Sequence, residues 1–212
     1  MRKLAKPLVF VLALVPLAGL IFIVLTGRTS ANPAEDILLT TGIWAFRFLL
    51  ATLAVTPLRR LTGWNAVIRY RRMLGLFAFF YASVHLTSYL LFDQLVTEEG
   101  VVGRVAADIL KRPFITAGMT AFLLMVPLAL TSTQGWIRRL GRRWQRLHRL
   151  VYFSAGAAAL HFIWKVKVAV GEPVYYAALL AVLLGLRVVR RLPRRTVVTR
   201  PAAPSQSSGP GL

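Results

Sequence analysis

Cysteine is absent from the 212-residue sequence. That absence excludes disulfides, iron–sulfur clusters and thiolate-ligated haem. Acidic side chains are scarce, seven against 27 lysines and arginines, and histidine occurs only at His85, His148 and His161. Any metal chemistry therefore falls to histidine, carboxylate, tyrosine or methionine. Most of the chain is apolar, at 57% hydrophobic residues and a mean hydropathy of +0.62. A soluble domain of this length needs more polar surface, so the composition indicates a polytopic membrane protein. A net charge of +20 would suggest nucleic acid in a soluble protein. Here the basic residues form short clusters between apolar runs, so the membrane reading wins and nucleic acid is not an expected partner.

Six runs, near 7–26, 38–58, 73–92, 113–131, 147–165 and 174–192, approach the roughly 20 residues that a helix needs to cross a bilayer. The expected fold is an all-α bundle of six transmembrane helices in one domain, residues 1–192. Pro113 opens a run, Pro57 and Pro193 sit at ends, and Pro16 and Pro127 lie inside runs, where membrane helices tolerate them. No internal repeat is evident. Residues 193–212 are basic and then rich in Pro, Ser and Gly, the composition of a disordered tail. Arginine clusters flank alternate runs (Arg59, Arg60, Arg69, Arg71, Arg72; Arg138, Arg139, Arg142, Arg143, Arg146), and all seven acids lie in the intervening loops. The positive-inside rule then makes both termini cytoplasmic. The first run, with "TSA" before Asn32, is longer than the apolar stretch of a cleaved signal, which favours a retained helix.

This orientation gives each histidine a depth. His85 and His161 fall in the outer halves of the third and fifth runs, at matched depth. Two imidazoles on different helices at one depth suit axial ligation of a haem iron, and a closed bis-histidine site favours electron transfer. Arg71, Gly75, Ala78, Ala82 and His85 share one helical face, and "SAGAAAL" precedes His161. Small residues also let membrane helices pack closely without a cofactor; a histidine closing each lane is what favours haem. A histidine-relay transporter without haem remains the alternative. His148 lies among arginines, about 20 Å along an ideal helix from His161 and about 140° around it. A second haem there would need a local distortion, and its partner across the bundle would be Arg71, a poor iron ligand. Arg47 reads as the only cation well inside a run. It either meets a haem propionate or snorkels outward.

Four stretches, "NPAEDILLTTGIWAFRFLLATLAVTPLRR", "RYRRMLGLFAFFYASVHLTSYL", "KRPFITAGMTAFLLMVPLALTST" and "WQRLHRLVYFSAGAAALHFIW", resemble the MsrQ (YedZ) family. These are haem-binding membrane subunits of bacterial methionine sulfoxide reductase systems, within the ferric-reductase-like transmembrane superfamily. The resemblance runs in order from Asn32 to Trp164. In the superfamily, two histidines on each of two helices hold two haems. Here His148 and His161 match one pair, His85 matches half of the other, and Arg71 stands at the inner position. The resemblance implies haem b, FMN, the bacterial inner membrane, and a complex with the periplasmic molybdopterin subunit MsrP. The chain would be an electron-transfer subunit supporting protein repair rather than the catalytic reductase. Its donor would be a quinol or a cytoplasmic flavin reductase, since no flavin and nicotinamide domain follows the last run. A ferric-reductase-type haem subunit is the nearest alternative. No phosphate-cradling glycine loop occurs, so no residue is assigned to FMN.

Overall fold

The computed structural model describes residues 5–94, 101–166 and 171–189. Among these residues there are helices and turns and no strand. Helices α1 (Ala5–Leu25), α2 (Pro33–Thr62), α3 (Arg71–Tyr89), α5 (Pro113–Leu130), α8 (Leu150–Lys165) and α9 (Glu172–Val189) carry the apolar runs. Between them lie three short α-helices, α4 (Val101–Lys111), α6 (Gln134–Leu140) and α7 (Arg142–Leu147), a 3-10 helix (Asn65–Tyr70) and a π turn (Leu90–Gln94).

The ends of α2 follow from its sequence. Asn32 accepts a hydrogen bond from the Glu35 amide, Pro33 occupies the first turn, and Glu35 and Asp36 face the positive end of the helix dipole. At the other end Gly63 adopts φ 71° and its N–H returns to the Arg59 carbonyl. Only a residue free of Cβ strain takes that left-handed cap cheaply. Arg59 and Arg60 sit in the last turn, where cations are favoured.

The most extensive packing joins α2 to α3 and α5 to α8; α9 closes the bundle against α2 and α8. Leu53, Ala78 and Ala155 are fully buried at the centre. Tyr81 on α3 secures α1: its hydroxyl donates to the Ala13 carbonyl at 2.8 Å and accepts from the Leu17 amide at 3.2 Å. The hydroxyl enters the backbone ladder beside Pro16, where a proline disturbs it.

The outside of the bundle is apolar. Phe153 is 69% exposed, Leu130 65% and Leu123 60%, a surface that water would not tolerate and lipid does. Four segments are long and apolar enough to cross a membrane: Ala5–Leu25, Pro33–Thr62, Asn65–Phe92 and Pro113–Leu130. Six were expected. The fifth run is interrupted at His148 and Arg149, which leaves α8 with 16 residues. The sixth run, 174–192, is described only to residue 189, and the tail, 193–212, lies outside the described residues. A further difference is α4, which folds within a stretch read from sequence as a loop.

Candidate functional site

His85 on α3 and His161 on α8 meet across the bundle, with ring centroids 6.0 Å apart and ring planes at 78°. Nδ1 of His85 lies 2.9 Å from the Leu38 carbonyl oxygen, and Nδ1 of His161 lies 2.7 Å from that of Phe114. A carbonyl oxygen only accepts, so each Nδ1 carries the proton and donates it. Each ring is thereby fixed in orientation and tautomer, and Nε2 is left with its lone pair. This is the state in which imidazole binds a metal.

Both rings border a cavity of about 220 Å³ between α2, α3, α5 and α8. Phe46, Leu49, Phe122 and Met125 form apolar walls. Arg112 and Lys165 stand at its edge; Arg112 pairs with Asp108 at 3.3 Å, and the Lys165 ammonium lies 5.8 Å from the Phe114 ring centroid.

Two glycines make the approach of the histidines possible. A Cβ on Gly118 would stand 2.7 Å from Nδ1 of His161, and one on Gly42 would stand 3.1 Å from Nδ1 of His85. The first distance is an outright clash. The two half-sites are also equivalent along the chain. Each histidine follows its carbonyl partner by 47 residues, and each follows its glycine by 43. The hairpins α2–α3 and α5–α8 therefore present the same device from opposite sides. This corrects the reading that the chain lacks an internal repeat. Its sequence trace is small: "LLTTG" and "FITAG" at one fixed distance from a histidine.

The other sequence candidates fall elsewhere. Arg47 does not line the cavity. Its Nε donates to the Tyr176 hydroxyl at 2.7 Å, and its guanidinium lies 4.8 Å from the Trp44 ring centroid, so aromatic faces and a hydroxyl accommodate it. Arg47 is also not the only cation inside a long helix, as the sequence suggested. Arg187 on α9 is 8% exposed and donates to the Tyr152 hydroxyl and the Leu53 carbonyl. Residue type and position alone did not separate it from the basic cluster that follows.

His148 caps α7 and is not part of α8. The run is interrupted at residues 148–149, so the ideal-helix angle between His148 and His161 does not apply. The ring stacks on Trp144 with centroids 3.8 Å apart, and Nδ1 lies 3.1 Å from the Trp144 carbonyl oxygen. Its Nε2 is buried and makes no hydrogen bond. Arg71, at the start of α3, is a charged neighbour.

A helical membrane bundle that turns two fixed imidazoles towards one cavity has the design of a ferric-reductase-like transmembrane protein. Residues 41–159 match the family described as ferric reductase like transmembrane component. The chain is also 56% identical over 174 residues to a protein of Xanthomonas campestris pv. campestris (strain 8004), covering 82% of this chain and 78% of the relative. It is 52% identical over 206 residues to one of Xanthomonas euvesicatoria pv. vesicatoria (strain 85-10), covering 94% and 93%. For Herminiimonas arsenicoxydans the identity is 49% over 188 residues, covering 87% and 84%. Each of the three is described as the protein-methionine-sulfoxide reductase heme-binding subunit MsrQ. The chain belongs to the MsrQ family. No solved structure matches it significantly.

Proposed function

We propose that this chain is a haem b-containing electron-transfer subunit of the bacterial inner membrane. It takes electrons from the quinone pool or a cytoplasmic flavin reductase and passes them to MsrP, a periplasmic molybdopterin methionine sulfoxide reductase. Residues 1–192 form the transmembrane haem domain with six spans, and 193–212 a cytoplasmic tail. The observation that carries the reading is the pair His85 and His161, held 6.0 Å apart with both Nδ1 protons committed to backbone carbonyls.

The residues fit haem. An imidazole–metal bond of about 2 Å on each side, added to the half-width of each ring, comes close to that centroid spacing. Apolar walls and small residues suit a flat macrocycle, and Arg112 and Lys165 are the cations at the cavity edge that would meet its carboxylates. When bound, haem supplies reversible one-electron exchange. His85 and His161 would hold the iron, each through its Nε2. Leu38 and Phe114 fix the rings, so little reorganisation accompanies a change of charge. The apolar wall excludes water.

A second haem or flavin site at His148 and Arg71 draws support from one observation, the buried Nε2 of His148, which makes no hydrogen bond of good geometry although the Leu128 backbone lies beside the ring. FMN follows from family resemblance alone, with no residues assigned. Optical spectroscopy of the purified protein tests the main reading. A split, low-spin bis-histidine spectrum is expected, and colourless protein from haem-replete cells would favour a histidine-relay transporter. Co-purification with MsrP, and electron delivery to it, separates this function from a ferric-reductase role.

A further inference from the structure

The cavity between the two hairpins repeats itself along the chain. His85 and His161 stand 76 residues apart, as do Gly42 and Gly118, and Phe46 and Phe122. Every residue of the lining has a counterpart at that interval except Arg112. The interval assigns Asp36 to Arg112, but Asp36 lies in the first turn of α2 and accepts from the Ser30 amide instead. The symmetric frame therefore accounts for the parts that hold the two rings and not for the guanidinium at the cavity edge.

Arg112 owes its place to α4, a helix outside both hairpins. Its backbone N–H donates to the Asp108 carbonyl at 2.9 Å, and its Nε lies 3.3 Å from Oδ1 of Asp108. The other carboxylate oxygen of Asp108 accepts from the Tyr89 hydroxyl at 2.7 Å. Thr116, in the first turn of α5, donates its hydroxyl to the Ile109 carbonyl. One carboxylate thus joins the end of α3 to the start of α5 beside the cavity. Its side chain is 17% exposed and that of Arg112 is 53% exposed, so the acid is built into the fold and steers a freer guanidinium. With Nε turned to Asp108, the two terminal nitrogens remain, and among the described residues nothing accepts a hydrogen bond from them. They form a fork of the spacing that a carboxylate takes.

We propose that Asp108 is a positioning residue for haem: it holds Arg112 so that the guanidinium fork meets one of the haem carboxylates at the cavity edge. The inference rests on the haem reading. It carries a sign opposite to that of direct electrostatics. A carboxylate near the haem carboxylates repels them, so removing the Asp108 charge would tighten haem binding if Arg112 kept its place. Where Asp108 places Arg112, the same change weakens binding, because a freed arginine must give up rotamer freedom to make the pair.

The test uses the full chain purified from haem-limited cells and titrated in detergent with haem or with haem dimethyl ester, in which the carboxylates are masked. Growth of the low-spin spectrum gives the affinity. Arg112→Gln should weaken haem binding by about tenfold, the lower end of what a hydrogen bond to a charged group contributes, and leave ester binding unchanged. Asp108→Asn keeps the shape of the side chain and an oxygen for Tyr89. It should weaken haem binding by a smaller factor, leave the ester unchanged, and add nothing in the Arg112→Gln background, since the two act as one unit. Unchanged or tighter haem binding in Asp108→Asn would overturn the positioning role. An equal loss for haem and ester would also overturn it, because a general loosening of the fold weakens both. A wild type without a low-spin spectrum would overturn the haem reading itself, and this inference with it.

Discussion

The two ends of this bundle solve the problem of placing polar groups in lipid in opposite ways. At one end, two neutral imidazoles face each other, each anchored to a backbone carbonyl, and each approached by a glycine on the neighbouring helix. The arrangement is twofold: α2–α3 and α5–α8 supply the same parts. At the other end the repeat is broken. Arg71 stands on α3, His148 caps α7, and α9, which belongs to neither hairpin, contributes Arg187. The difference teaches that a repeated hairpin can be kept where a symmetric ligand pair is needed and abandoned where the groups must do different work. The symmetric end is neutral and self-satisfied; the asymmetric end holds an unused imidazole nitrogen and unbalanced positive charge.

The largest effect that would break this comparison comes from the two facing histidines. His85→Ala and His161→Ala should each abolish the low-spin bis-histidine spectrum and lower thermal stability in the haem-loaded preparation, because bound haem stabilises the folded state. An unchanged spectrum in either variant would remove the facing pair from the proposed site. The glycines come next and sharpen the symmetry. Gly118→Ala forces a methyl to 2.7 Å from Nδ1 of His161 and should disturb its bond to the Phe114 carbonyl, with a loss of haem affinity of about 10–100-fold, as for other groups that orient a metal-bound histidine. Gly42→Ala, where the corresponding distance is 3.1 Å, should show the same sign and a smaller loss in a haem titration.

At the asymmetric end, if the proposed second site holds haem, His148→Ala should leave the low-spin signature of the facing pair intact while lowering the haem-to-protein ratio by about one equivalent, the ratio expected for a single added ligand site. A ratio of one in both the wild type and the variant would mean that the buried Nε2 holds no haem. The smallest effect belongs to the acidic stretch that follows α3. Neutralising Asp93, Glu98 and Glu99 together should slow electron delivery to the partner at low ionic strength and leave the spectrum unchanged, since surface charge steers encounter rather than ligation. Stopped-flow transfer rates across a salt series would read this, and a flat salt response equal to the wild type would exclude the steering role.

Much of the pairing of His85 with His161 is legible in the sequence. A side chain that is rare overall, placed at matched depth on two runs, can be located by counting residues from the basic clusters, because helix rise is constant. Small residues on one face of a helix are equally readable from spacing. What counting does not reach is the direction in which a ring is held. The carbonyls of Leu38 and Phe114 and the hydrogen atoms of Gly42 and Gly118 leave almost no trace in composition, and their equivalence appears only when the two hairpins face each other.

The sequence by itself determined that the chain is helical, apolar enough for a membrane, and without thiolate for any metal chemistry. Hydropathy, charge clusters and the absence of cysteine are properties of residue type, and lipid reads them the same way whatever the fold. The tertiary structure alone decided which polar groups have partners. It turned Arg47 towards Tyr176, buried Arg187 without a carboxylate, and broke the helix at His148. Each outcome depends on which helix lies opposite, and a side chain between helices is satisfied or orphaned by groups distant in sequence.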